Sequence, residues 1–236
     1  MLRMRKSLLG GIAMLLALLL WCSPALAALS NYDANHPENL NDVDLGCSAA
    51  ILIEANTGMV IYEKNADARM YPASTTKILT TYLGLLMGDL GSTVVTSGTA
   101  LQISADSSTI PLSQGEEINF KDLLFATMVR SGNDGANVIA ETISGSIPAF
   151  VDLMNTYAAS LGCRNTHFAN ANGLHDENHY TTARDMAIIA REAMQNETFR
   201  KIASTVTYAL PKSNIHKSRS ISSRMLEFFG GESSYY

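Results

Sequence analysis

A proline turn that runs straight into a helix apolar on most sides constrains this chain more than any other stretch. Pro72 and Ala73 make the turn, Ser74 opens a run of helix formers, and Ile78 to Met87 carries enough apolar residues to be buried nearly all round. If the helix starts at or just before Ser74, Lys77 lies one turn further along the same face, because residues three apart are neighbours. The amine can then reach the hydroxyl. Free serine is a poor nucleophile and needs a base beside it. A lysine serves once burial lowers its pKa, since desolvation disfavours the charged form. The helix start adds unpaired backbone N–H groups, which favour negative charge developing on an attacked carbonyl. Taken alone, Ser-x-x-Lys is a weak signal, because an exposed hydroxyl near a solvated lysine gives the same letters.

The first 27 residues read as a signal peptide rather than as part of the fold. Arg3, Arg5 and Lys6 form a basic start, Leu8 to Leu20 an apolar run short for a membrane span, and Ala25-Leu26-Ala27 a small-residue cleavage site. The chain is therefore expected to be exported, to the outer face of the cell membrane, the periplasm or the cell wall. Of 17 basic and 22 acidic residues, the leader holds three basic and no acidic ones. Its removal leaves 14 against 22, about −8, a balance that argues against nucleic acid as a partner. Two cysteines follow the leader, Cys47 and Cys163. Export permits a disulfide between them, and two buried free thiols is the equal alternative. The remaining length, residues 28–236, suits one large domain or one domain with an insertion.

Along the chain, Leu29 to Gly46 is a polar, extended lead-in. Ala49–Ile53 and Met59–Tyr62 read as two strands joined by an Asn56-Thr57-Gly58 turn, and Glu63 to Asp67 as a solvated connection to the Ser74 helix. Ser92 to Gln114 reads as loops and small strands. Asn119 caps a helix to Arg130, Ser131-Gly132-Asn133 interrupts it, and a new helix runs from near Asp134 to Ile143. Ser146 and Pro148 start another, closed by Gly162, and Thr182 caps one that ends near Met194. Asn170 to Gly173 is a loop, and Thr205 to Leu210 alternates as a strand does.

Ser131-Gly132-Asn133 is the second chemical candidate. Leu123 to Val129 and Ala136 to Ile139 make its surroundings a buried helix-turn-helix, an expensive place for two polar side chains without partners. Ser-x-x-Lys followed by Ser-x-Asn belongs to the signature of β-lactamases and penicillin-binding proteins. The flanks are more specific. Ile53 to Gly58 with Tyr62 to Asn65, Tyr71 to Lys77, Ser131 to Asp134, Asn172-Gly173-Leu174 and Thr182 to Met186 resemble the serine D-alanyl-D-alanine carboxypeptidases, the low-molecular-weight penicillin-binding proteins. The match runs in order from Ser48 to about Leu210.

The resemblance implies an α+β fold of the β-lactamase and penicillin-binding-protein type, an antiparallel sheet flanked by helices. A helical subdomain, expected to be all-helical, spans roughly residues 100–194 of a catalytic domain over residues 28–236. It implies that Ser74 takes the acyl group of a peptidoglycan pentapeptide ending in D-Ala-D-Ala, that Lys77 is the base, that Ser131 relays a proton to the leaving amine, and that Asn133 holds the substrate's amide. β-Lactams would be inhibitors, with no cofactor and no metal in the chemistry. Family members often hold the membrane surface through a C-terminal tail, which does not occur here.

The family's third motif, Lys-Thr-Gly, does not occur in this chain. The resemblance therefore implies a member that stops before that strand, with its C-terminal strands missing, and an inactive truncated member is the alternative. Gly135 is a second departure, since the family usually has alanine there. A class A β-lactamase-like hydrolase is also weighed, but Glu192 imitates its deacylating glutamate without the flanking leucine and reads as an exposed helix face. His175 and His179 have zinc-like spacing only on a helix, and their stretch reads as a loop.

Overall fold

The structure, a computed structural model, describes residues 45–223, so the leader expected over residues 1–27 lies outside the described residues. Strands β1 (Ala50–Ile53) and β2 (Val60–Lys64) pair antiparallel, Ile51 opposite Glu63 and Leu52 opposite Tyr62, with a bulge between Leu52 and Ile53. One carboxylate builds the turn between them. Glu54 accepts from the Thr57 hydroxyl at 2.6 Å and from the N–H groups of Asn56 and Thr57 at 3.0 and 2.5 Å, and these bonds, the hydroxyl's first, hold its pKa down at about 2. The second strand runs past Tyr62 into what reads in sequence as a solvated connection, because Glu63 and Lys64 find partners in Ile51 and Ala50.

Helix α1 (Thr76–Met87) follows a 3₁₀ turn over Ala73–Thr75. Most of its length is buried, as its composition demands. It packs on α2 (Phe120–Arg130) and α3 (Asn133–Ser144) so closely that a Cβ on Gly84 would lie 2.8 Å from Leu124 and 3.2 Å from Ile139. The polar starts of four of the other helices are met by side chains. Asn119 caps α2 and Ser146 caps α4 (Ile147–Ser160). Thr182 does the same for α5 (Ala183–Met194), and Asn196 for α6 (Glu197–Ala203). Leu79, Leu83, Leu123, Leu124, Ile139, Phe150, Met154 and Ile189 belong to one continuous core.

Helix α5 ties the first hairpin to this core. Arg184 donates to Glu63 at 2.6 Å and to Asp67 at 2.8 Å, and Arg191 donates to the carbonyls of Ala55 and Asn56 at 2.8 and 2.5 Å. No helix among the described residues is long and apolar enough to cross a membrane.

Three sequence readings need correction. The segment 100–194 is not all-helical: β4 (Glu117–Asn119) lies inside it and pairs with β3 (Thr93–Val95), because Val94 and Ile118 alternate inward on a half-buried ribbon. Helix α6 is absent from the sequence reading although Asn196 and Glu197 carry its start signal, since only Phe199 and Ile202 of its seven residues are buried. Strand β6 (Arg219–Ser222) pairs with β5 (Thr207–Leu210), and its one apolar residue, Ile221, was too little pattern to read. Neither cysteine reading holds in full. Both thiols are free, but Cys47 is exposed, while burial pushes the Cys163 thiol up to about 12.

Packing accounts for Gly135. A Cβ there would lie 2.2 Å from Thr127 Oγ1 and 2.5 Å from Ile110 Cδ1. Thr127 Oγ1 is itself buried without a hydrogen-bond partner, an arrangement that costs about 1–3 kcal/mol. The threonine and the glycine share one space. Gly135→Ala should therefore destabilise by about 1–3 kcal/mol through overpacking, and adding Thr127→Ala should recover the part due to the hydroxyl while the Ile110 contact remains. A double-mutant cycle by urea unfolding measures the coupling, and additive effects would show that the two positions do not compete.

His179 supplies a second stability test. It is 1% exposed, its Nδ1 accepts from the Ala169 N–H at 2.9 Å, and its Nε2–H therefore donates to Thr76 Oγ1 at 2.7 Å. Burial pushes its pKa from 6.5 down to about 4. Between those values the unfolded chain binds more protons, so the stability His179 contributes is complete above pH 6.5 and is lost as pH falls towards 4. His179→Gln should flatten the fall of unfolding free energy over that window. An unchanged slope would mean that other groups carry the acid sensitivity.

Candidate active site

Segments distant in sequence converge on one amine. Lys77 is 1% exposed, and its Nζ lies 2.7 Å from Asn133 Oδ1, 2.5 Å from the Asn172 carbonyl oxygen and 3.3 Å from Ser74 Oγ. Burial pushes its pKa down to about 8, against the opposing pull of the Asp134 carboxylate. The three partners suit the neutral form. A neutral amine has two N–H bonds and one lone pair. Two oxygens that can only accept, at Asn133 and Asn172, take the N–H bonds, and the lone pair is left for the Ser74 hydroxyl proton. The donor at Lys77 also fixes the Asn133 amide with its oxygen inward.

Each partner is held in turn. Asn133 is the first residue of α3, and its N–H donates to the Ser108 carbonyl at 2.8 Å. The buried Asp134 carboxylate accepts from the N–H groups of Ile110 and Leu112, both at 2.9 Å, and so anchors the 108–112 segment against the start of α3. On the other side, Thr80 donates to the Ala171 carbonyl at 2.6 Å, Asn170 Oδ1 accepts from the Gly173 N–H at 2.7 Å, and Asn172 Nδ2 donates to Asn137 Oδ1 at 3.1 Å. The 170–174 loop is thereby fixed with one carbonyl aimed at Lys77.

Ser74 is exposed while Lys77 is buried, a combination that a nucleophile facing solvent-borne substrate would require. The preceding residue, Ala73, sits at φ +48°, a left-handed conformation that costs a non-glycine residue about 1–3 kcal/mol. Gly173 lies against it at φ +87°, and a Cβ there would fall 1.9 Å from the Ala73 oxygen and 3.0 Å from the Ser74 nitrogen. Any side chain at 173 would crowd the N–H at the nucleophile. Glycine is required twice over, by conformation and by space.

The structure thus brings Ser74, Lys77 and Asn133 together. Ser131 ends α2 in a left-handed conformation, φ 60° and ψ 40°, and its Oγ is buried with no hydrogen-bond partner. The sequence reading missed the Asn172 carbonyl and the Gly173 contact. A main-chain acceptor has no side-chain signature, and the loop letters around it signal only a turn. The weighed alternatives find other employment. Glu192 accepts from the Tyr82 hydroxyl at 3.2 Å and is partly buried, not the exposed face expected. His175 packs edge-on against Tyr71 at 4.6 Å, whereas His179 is committed to Thr76 and Ala169.

Comparison with known proteins bears on the chain as a whole. The family model for D-alanyl-D-alanine carboxypeptidases, peptidase family S11, matches residues 34–224. The chain is 38% identical over 187 residues to the D-alanyl-D-alanine carboxypeptidase DacF of Bacillus subtilis, covering 78% of this chain and 48% of that protein. To DacA of Escherichia coli it is 34% identical over 185 residues, covering 74% and 46%. The chain spans about half the length of these relatives. Among solved structures, penicillin binding protein 5 from Haemophilus influenzae superposes with a TM-score of 0.71 at 31% identity, over 80% of this chain and 55% of that one. The Streptomyces K15 DD-transpeptidase does so with a TM-score of 0.69 at 29% identity, over 76% and 73%. By sequence and by fold, this chain belongs to the S11 peptidases, the D-alanyl-D-alanine carboxypeptidase family.

Proposed function

We propose that the protein is a serine-type D-Ala-D-Ala carboxypeptidase acting on peptidoglycan stem peptides outside the cytoplasm. The observation that carries the reading is the Lys77 amine, buried between two acceptors with its lone pair left for Ser74. Ser74 Oγ gives its proton to neutral Lys77 and attacks the carbonyl carbon of the penultimate D-alanine. The Ser74 N–H, at the unpaired start of a helical turn, donates to the oxygen as negative charge develops there. The carbon–nitrogen bond then breaks, and the proton on Lys77 passes through the Ser131 hydroxyl to the departing D-alanine amine. Water next cleaves the ester and regenerates Ser74. With Asn133 Oδ1 engaged by Lys77, the amide's donor end is the part left for the substrate's own carbonyl. The basic-apolar leader over residues 1–27 supports export, and the penicillin-binding relatives support β-lactams as acylating inhibitors.

Ser74→Ala should eliminate the covalent β-lactam adduct. Lys77→Arg should abolish acylation while leaving the fold intact, because a guanidinium keeps its proton at working pH. Labelling with a fluorescent penicillin, mapped by peptide mass, reads both. An adduct on Ser131, or normal labelling of the Arg variant, would reverse the assignment. Because Lys77 acts as base only when neutral, the acylation rate should rise with pH through about 8 and level off above it.

A further inference from the structure

On the reading that Ser74 acylates on a D-Ala-D-Ala peptide, we propose that Tyr71 and His175 form a ledge that grips the aliphatic side chain of the residue preceding that dipeptide. Tyr71 lies three residues before Ser74, so the two Cα atoms are at most about 11 Å apart. It is 56% exposed, and is the single aromatic residue among the exposed large hydrophobic side chains of the described residues. It is not loosely held. Met70 exchanges backbone hydrogen bonds with Thr181 at 2.8 and 2.9 Å on one side, buried Pro72 follows on the other, and the ring packs edge-on against His175.

His175 arrives from the second wall of the site. It stands two residues after Gly173, the residue pressed against the Ala73 carbonyl, so the two loops that meet at the nucleophile each contribute one ring. An aromatic face fixed before binding loses little side-chain freedom when a ligand covers it, which favours its use as a contact surface. The same loop continues through Asp176 and Glu177, both exposed. Exposed Arg69 holds this loop from outside, its guanidinium 3.6 Å over the Tyr180 ring and donating to the Glu177 carbonyl at 2.8 Å. The hydrocarbon stem of a long side chain, laid across this exposed ring face, matches it.

The test uses the intact protein and three tripeptides, acyl-X-D-Ala-D-Ala, with X lysine, norleucine or alanine, following D-alanine release. Tyr71→Ala should lower kcat/KM about tenfold for the lysine and norleucine peptides relative to the alanine peptide, with Tyr71→Phe restoring the ratio. An equal loss on all three peptides would overturn the ledge and make Tyr71 a support for the Ser74 turn. A loss confined to peptides still carrying their disaccharide would overturn it in favour of sugar stacking. Failure of the unaltered protein to release D-alanine from any peptide, or to form an adduct on Ser74, would instead remove the functional reading on which the ledge rests.

Discussion

The amine of Lys77 cannot be both buried and indifferent to its protonation state, and the site is arranged around that fact. A lysine in water keeps its proton and can take none from serine. Here the cost of stripping water from the charged form is met by supplying two oxygens that accept from the neutral form as readily. Asp134 stands close enough to pull the other way, which keeps the amine titrating near the physiological range. The base is thus set by a balance between burial and one carboxylate. That carboxylate is in turn held by the backbone of the segment lying over it.

The fold serves this balance in two parts. The helices around α1 bury its flank and so create the desolvation, while two loops, 72–74 and 170–174, bring backbone atoms to the exposed end where Ser74 sits. The first hairpin stands outside this arrangement. Its ties to α5 run through Arg184 and Arg191 at the surface, where ion pairs are typically worth about 0–1 kcal/mol each.

How much of this was legible in the letters depends on whether a role is played by a side chain or by the main chain. Ser74, Lys77 and Asn133, which the structure brings together, stand out in the letters because hydroxyl, amine and amide are side-chain groups at fixed spacing. The caps at Asn119, Ser146 and Thr182 were readable for the same reason. The Asn172 carbonyl was not, since every residue has one, and only the folded path aims it. Gly173 read as a turn glycine, whereas the structure uses its missing Cβ to admit the Ala73 carbonyl. The short elements α6, β4 and β6 escaped because each buries only one or two apolar residues, too few for a period to show.

The bond from Lys77 to the Asn172 carbonyl closes a loop of 95 residues. A nascent chain therefore exposes its serine and lysine long before the residue that completes their environment has been made. Until that closure the lysine is an ordinary solvated cation, and the serine beside it is as inert as any other on an unfolded segment. Contacts of such long range form late, because the entropy of bringing the ends together must be met first. On the proposed function, reactivity is consequently a property of the finished state, and a partly folded chain carries the motif without the chemistry.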